Sequence, residues 1–325
     1  MQIAFRNLMP IVEQKSSVEQ KPIVELKNVR KVYDQKVAVE GLSFRIEPGT
    51  IFGLLGPNGS GKTSSIRMMI GITVPDSGTV SLFGQPFTRD CLKRVGYLPE
   101  ERGLYKKMNV LDQLVFLGQL HALDAATARK RALTWCERME ITEAIPKKTE
   151  DLSKGMQQKI QFIAALLHEP DLIIMDEPFS GLDPVNGKLL QDTLLDLRKT
   201  GKAILFSTHR MDQAEKMCDE IALISRGRLV LEGSMREVKQ KYPRNRVVMQ
   251  FEGDNSFLQH PSIEKAELYG GHVEIKLRSL AGSDPDAQPL LAEAVARGTS
   301  ITRFEVMEPT LEEIFIEAVG GKIDA

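Results

Sequence analysis

Long apolar runs, cysteine and any excess of one charge are what this sequence has least of. No run of about 18 apolar residues occurs in it, so no helix is expected to cross a membrane. Cysteine appears only at Cys91, Cys136 and Cys218, far apart and with no C-x-x-C pair. That spacing argues for a reduced, cytosolic setting and against a metal held through sulfur. Formal net charge is −1, so no global attraction to nucleic acid or anionic lipid operates, and no nucleic-acid partner is expected. The single tryptophan, Trp135, and the scattered methionines suit gap filling in a core rather than chemistry. At the start, Met1 to Val12 is mildly apolar but broken by Arg6, Asn7 and Pro10, and lacks the basic-then-apolar order of a signal peptide. Residues 1–22 are expected to be a disordered leader.

Present instead is a glycine-rich loop. Gly56, Pro57, Asn58, Gly59, Ser60, Gly61, Lys62 and Thr63 fit the phosphate-binding pattern G-x-x-x-x-G-K-[ST] at every fixed position. The apolar run Ile51 to Leu55 reads as a buried strand entering the loop, and Thr63 to Ile70 as a helix leaving it. Glycines let backbone N–H groups turn inward around phosphate oxygens, and the helix N-terminus adds positive potential. Lys62 supplies a mobile cation for the terminal phosphates, the Thr63 hydroxyl can ligate Mg²⁺, and Ser64 joins the expected nucleotide contacts. ATP with Mg²⁺ is the expected ligand pair.

Downstream, Leu172 to Pro178 reads LIIMDEP, an apolar strand ending in two carboxylates. Ionised side chains at the end of a buried strand need compensation, which a magnesium ion beside ATP would provide. Asp176 is placed to bind that metal, directly or through water, and Glu177 to polarise a water toward the γ-phosphate.

The surrounding pattern alternates strands and helices. Ile23 to Leu26, Ala38 to Ile46, Thr79 to Phe83 and Val95 to Leu98 are predicted strands; Leu172 to Met175 and Ala203 to Phe206 have the continuous apolar character of buried parallel strands. Asn109 to Met139 carries a helical period, Met156 to Leu167 is a further helix, and Pro184 to Arg198 is another, with Asp183 as N-cap. Ile221 to Ser225 and Arg228 to Leu231 read as a hairpin around Arg226 and Gly227. Together these predict an α/β domain over residues 23–242, with a helical subdomain at about 100–168.

Several further elements, in order, resemble the ATP-binding-cassette (ABC) ATPases, the motor subunits of ABC transporters. They are LSKGMQQK at Leu152 to Lys159, the acids Asp176 and Glu177, FSGLD at Phe179 to Asp183, and His209 within STHRMDQAE. The resemblance covers residues 23–242 and implies a P-loop NTPase, ABC-type nucleotide-binding domain. It implies that Ser153, Lys154 and Gly155, at the place of the family's LSGGQ signature, meet the γ-phosphate of ATP bound by a second subunit. It further implies that His209 is the switch histidine on the γ-phosphate, that Asp183 belongs to a D-loop joining two sites, and that Tyr33 stacks on adenine. Plainer readings stand beside these: Ser153 and Asp183 as helix N-caps, His209 and Tyr33 as structural residues. The signature departs from the family pattern at Lys154, in place of Gly, and Met156, in place of Gln.

Glu100 is another departure. It stands where the family has a Gln that contacts metal-bound water and the membrane partner, and YLPEERGLY resembles a subgroup of exporter-type members with a separate permease. Glu100 is read as a metal or coupling residue, or else as part of a surface acidic loop. Beyond Tyr242, residues 243–325 read as a small α+β domain. Val247 to Phe251, Glu264 to Leu268, Val273 to Leu277 and Ile301 to Val306 are predicted strands. With helices near Ser256, at Gln288 to Ala296 and at Thr310 to Ala318, they give a ferredoxin-like βαββαβα order. This segment, with its ending EPTLEEIFIEAVG, resembles a C-terminal domain appended to some exporter-type ABC ATPases.

As a whole the resemblance implies an ATPase driving export, with Lys62, Glu177 and His209 as its catalytic groups. One chain carries one phosphate loop and one signature, so the working unit is expected to be a homodimer with ATP sandwiched between copies. A separate integral membrane permease would hold it on the inner face of the cell membrane. A soluble ABC ATPase in a non-transport role and an ATP-gated regulatory protein are the alternatives.

Overall fold

Alternation in the first strands sets the base of the fold. β1 (Val24–Tyr33) and β2 (Lys36–Ile46) pair as an antiparallel hairpin, with Val24, Leu26, Val29, Leu42, Phe44 and Ile46 on its buried face. β3 (Ile51–Leu55) is buried throughout and runs through the glycine loop into α1 (Lys62–Met69). β4 (Ser77–Leu82) and the two-residue β5 (Gln85–Pro86) complete a sheet of order β2-β1-β4-β5. β6 (Val95–Leu98) leads to α2 (Val110–Leu120), α3 (Ala125–Arg138) and α4 (Lys154–Leu166). Then come β7 (Leu172–Asp176), α5 (Pro184–Lys199), β8 (Ala203–Thr208), α6 (Met211–Met217), β9 (Glu220–Ser225), β10 (Arg228–Ser234) and α7 (Met235–Gln240). This computed structural model describes residues 21–101, 103–279 and 284–320. All but the last two residues of the expected leader lie outside them.

The central sheet has the order β10-β9-β3-β8-β7-β6 and is parallel everywhere except at β10. Its inner strands are continuous apolar runs because both faces are covered. One face packs on α1 and the first sheet, the other on the helices that include α2, α4 and α6. Parallel strands share one carboxyl edge, where α/β sheets place their ligands. That edge collects the residues following β3, β8, β7 and β6: the glycine loop, His209, Glu177 and Glu100.

One local expectation is corrected. The helical stretch from Asn109 to Met139 is divided, because Ala122 takes a left-handed φ of 63° and Asp124 caps a new helix by accepting from the Thr127 N–H at 2.9 Å. Helix α7 was not predicted; a reciprocal capping box between Ser234 and Glu237 starts it.

The C-terminal strands β11 (Arg246–Glu252), β12 (Ile263–Tyr269), β13 (His272–Leu277) and β14 (Ser300–Met307) form an antiparallel sheet of order β12-β13-β11-β14. This is the ferredoxin-like order, with α8 (Gln288–Ala296) present and the first helix reduced to a 3₁₀ turn at Ser256–Gln259. Phe257 and Leu290 fill the face lined by Val247, Met249, Val273 and Ile275. α9 (Leu311–Ala318) does not join them. Leu311, Ile314 and Phe315 bury in the core beneath the central sheet, and α9 packs on α6.

Where α2 ends and α4 has just ended, the rings of His121 and His168 stack with centroids 3.8 Å apart. His168 Nε2 lies 3.0 Å from the Val95 carbonyl, and burial, aided by His121, pushes the His168 pKa down to about 4. The unfolded chain takes up this proton near the ordinary value of 6.5, whereas the folded chain resists it until about 4. Stability therefore falls as pH drops through that window. His168→Gln should lose less stability than the parent between those two pH values, measured by urea midpoints at each. Equal losses would contradict the assignment.

Candidate functional site

A cleft of about 390 Å³ lies over the carboxyl edge of the central sheet. Its walls are Lys36, Val37 and Ala38 from β2, Asn58 to Ser64 from the loop and α1, Glu100 after β6, and Asp176 and Glu177 at the end of β7. The sequence-predicted phosphate loop, paired acids and Glu100 are thus brought together.

The loop is fixed by close backbone approach. At Gly56, whose φ is 150°, a Cβ would strike the Ile224 carbonyl oxygen of β9. The Gly227 N–H donates to the Ser60 carbonyl at 2.9 Å, and the Gly56 N–H donates to the Thr208 carbonyl at 3.3 Å. The β9–β10 turn and β8 therefore hold the loop from either side. Lys62 is 6% exposed; its Nζ donates to the carbonyls of Gly56 (2.8 Å) and Pro57 (3.1 Å). It also lies 3.8 Å from Glu177 Oε1. Burial lowers the Lys62 pKa, and the charges of Glu177, Asp176 and Glu100 oppose that shift.

The two acids are held by β8. Asp176 is 1% exposed and accepts from the Ser207 hydroxyl. Glu177 takes a left-handed φ of 49°, a strained conformation that concentrates at functional sites. Its carboxylate accepts from the Thr208 hydroxyl at 3.2 Å and the His209 N–H at 3.1 Å, and lies 2.9 Å from His209 Nδ1. Burial, then the charge of Asp176, pushes the Tyr97 pKa up to about 12, keeping that neighbouring phenol neutral.

Among the described residues, Asp176 Oδ2 and Ser60 Oγ are buried without a hydrogen-bond partner. A buried carboxylate oxygen beside hydroxyls is a hard-oxygen donor set of the kind Mg²⁺ takes, and the loop before α1 suits phosphate. The residues present therefore fit ATP and Mg²⁺.

Other sequence-predicted residues stand apart from this cleft. Tyr33 ends β1, 39% exposed, with Lys31 Nζ 5.5 Å from its ring centroid. Ser153 caps α4 by accepting from the Met156 N–H at 3.2 Å, with Lys154 and Gly155 opening that helix. Asp183 caps α5, and its bonds from Asn186 and Val185 hold its carboxyl below the usual range. His209 lines a neighbouring cleft together with Pro57 and Asn58. Sequence reasoning missed Ser207, Thr208 and Gly227 as supports; the hydroxyl pair directly before His209 was the available signal.

The family model described as ABC transporter matches residues 39–180. A second, described as ATP-binding protein DrrA1-3-like, C-terminal domain, matches residues 233–319. The chain is 41% identical over 300 residues to the uncharacterized ABC transporter ATP-binding protein YhaQ of Bacillus subtilis (strain 168), covering 92% of this chain and 99% of that one. It is 34% identical to the Nod factor export ATP-binding protein I of Cupriavidus metallidurans, covering 93% of this chain and 98% of that one. A solved structure of an ATP-binding subunit of an ABC transporter is similar at a TM-score of 0.62 and 28% identity, over 67% of this chain and 92% of that chain.

The loop geometry carries a stability prediction. Gly56→Ala should cost about 1–3 kcal/mol, since the carbonyl it meets belongs to a sheet strand. Gly187→Ala, inside α5 where a Cβ meets nothing within 4 Å, should add about 0.5–1 kcal/mol. Urea denaturation of both variants checks the pair, and a stable Gly56→Ala protein would contradict the packing described.

Proposed function

The chain belongs to the ABC transporter ATP-binding proteins, and on that footing we propose that it hydrolyses ATP to drive export, as a homodimer on a separate membrane permease. The observation that carries this reading is the fixed carboxylate of Glu177, which faces Lys62 and is held by Thr208 and His209. A general base needs that restraint to meet one water in one orientation.

In this reading Gly56, Pro57, Asn58, Gly59, Ser60, Gly61, Thr63 and Ser64 cradle the phosphates, and Lys62 exchanges its two loop carbonyls for phosphate oxygens. Thr63 and Asp176 would hold Mg²⁺, with Glu100 as a further oxygen donor. When bound, the ion neutralises charge on the phosphates. Glu177 accepts the proton of the attacking water, and His209 orients Glu177 and, as the switch histidine, would contact the γ-phosphate. Tyr33 supplies a stacking face for adenine.

Ser153, Lys154 and Gly155 do not line the cleft of their own chain, which supports their acting on ATP held by a second copy. Lys154 would add a cation there, and Asp183 would belong to the loop that joins the two sites. A groove of about 390 Å³ lined by Ile72, Tyr97, Pro99, Leu104 and Leu117 adjoins Glu100, and we assign it to the permease. Among the described residues no helix is long and apolar enough to cross a membrane, so attachment at the inner face of the cell membrane would come through that partner. The similarity to a Nod factor export ATP-binding protein supports the export direction.

Glu177→Gln should still bind ATP and dimerise with it, while turnover falls about 10²- to 10⁴-fold. Phosphate release and ATP-dependent elution on size exclusion measure the two properties. Undiminished turnover would remove Glu177 from its role as base.

A further inference from the structure

The last described helix, α9, shares cleft walls with the phosphate loop. Phe315 of α9, 7% exposed, lines two clefts of about 430 and 500 Å³. The residues common to both walls are Pro57, Asn58 and Phe315. Phe315 therefore shares the walls of both clefts with the loop residues Pro57 and Asn58. The first of these two clefts also includes His209, Arg210 and Glu312.

A hydrogen bond joins α9 to α6, the helix that follows the histidine. Glu215 of α6 accepts from the Leu311 N–H at 2.8 Å and pairs with Lys239 at 3.1 Å. α6 begins at Met211, two residues after His209, so a restraint on α6 is a restraint on the segment that holds the Glu177 carboxylate. The helix is tied in turn to the C-terminal sheet, where Arg246 of β11 bonds Glu313 of α9 at 2.5 Å and also bonds Glu274 of β13.

We propose that α9 is a positioning helix for the nucleotide site, with Phe315 bracing the loop tip at Pro57 and Asn58 and the Glu215–Leu311 bond setting the place of His209. The inference rests on the ATP reading of the cleft. Phe315 and Glu215 act through other residues, and each has its own kinetic signature. Loosening the loop tip weakens the hold on phosphates before and during reaction alike, which appears in KM. Loosening α6 misplaces the group that orients the base, which appears in kcat.

The test uses the full chain. Phe315→Ala should raise the KM for ATP about 3- to 10-fold with kcat within about twofold, and Phe315→Leu should return KM toward the parent. Glu215→Ala should lower kcat about 3- to 10-fold with little change in KM, and Glu215→Gln, which keeps an acceptor for the Leu311 N–H, should restore it. Leu290→Ala, in the core of the C-terminal sheet, should lower the melting temperature and leave both constants near those of the parent. If Phe315→Ala does not fold, Phe315→Leu against the parent and the Glu215 pair still decide the matter. Parental KM and kcat in the α9 and α6 variants, or equal changes in Leu290→Ala, overturn the proposal. Lys62→Ala separates the two levels. Loss of ATP binding there with parental α9 variants removes only the role of α9, whereas retained ATP binding removes the site reading and this inference together.

Discussion

Charge withheld from water at one edge of a parallel sheet is the constraint on which the rest depends. Lys62 and Asp176 are 6% and 1% exposed, and an ionised group buried without partners costs several kcal/mol. The loop answers for Lys62 with two of its own carbonyls. The acids are answered from the neighbouring strand, by Ser207 for Asp176 and by Thr208 and His209 for Glu177. Those contacts exist only because β7 and β8 pair in the register that sets Asp176 opposite Ser207. A slip of one residue would turn every side chain of β7 to the other face and strand both acids. Sheet register and site electrostatics are thus one requirement. Asp176 Oδ2 is the part of it that the described protein groups leave unmet.

The first sheet takes part in the same constraint. A Cβ on Gly61 or Gly227 would press on the carbonyl of Ala38, and the Glu40 N–H donates to the Gly227 carbonyl at 2.8 Å. Strand β2, the glycine loop and the β9–β10 turn therefore meet around one residue of modest appearance. The same β2 segment, from Lys36 to Ala38, forms a wall of the cleft. A change in how the first sheet sits is transmitted to the loop by backbone contact, which yields less readily than side chains do.

What was legible in the sequence was what lies in contiguous residues. The glycine loop and the acids of LIIMDEP carry their chemistry within a few positions, and the apolar runs around them announced a covered parallel sheet. The ferredoxin-like strand order could also be read, because hairpin and helix periods fix neighbours locally. What escaped depends on tertiary meeting. Nothing local marks Gly227 as the support of Ser60 or Ser207 as the partner of Asp176. The break between α2 and α3 was written in Asp124 and Thr127, a capping pair that a continuous helical period hid. For α9 the sequence marked a helix at Thr310 to Ala318 but not what Leu311, Ile314 and Phe315 pack against, since Phe257 and Leu290 fill the face of the nearer sheet.

Magnitudes decide to which body α9 belongs. Its ties to the C-terminal sheet run through Arg246, Glu274 and Glu313, side chains each about a third exposed, so ion pairs there contribute about 1 kcal/mol or less. Its ties to the central core are Leu311, Ile314 and Phe315, and burying each such side chain contributes about 1.5–3 kcal/mol. The helix is therefore part of the first core energetically, although the chain reaches it only after the second sheet. A disturbance of the C-terminal sheet can pull on α9 through weak polar links without dislodging it. A disturbance of α6 meets α9 directly. The strong contact faces the central core and the weak one faces the C-terminal sheet, an asymmetry that keeps the helix with the core.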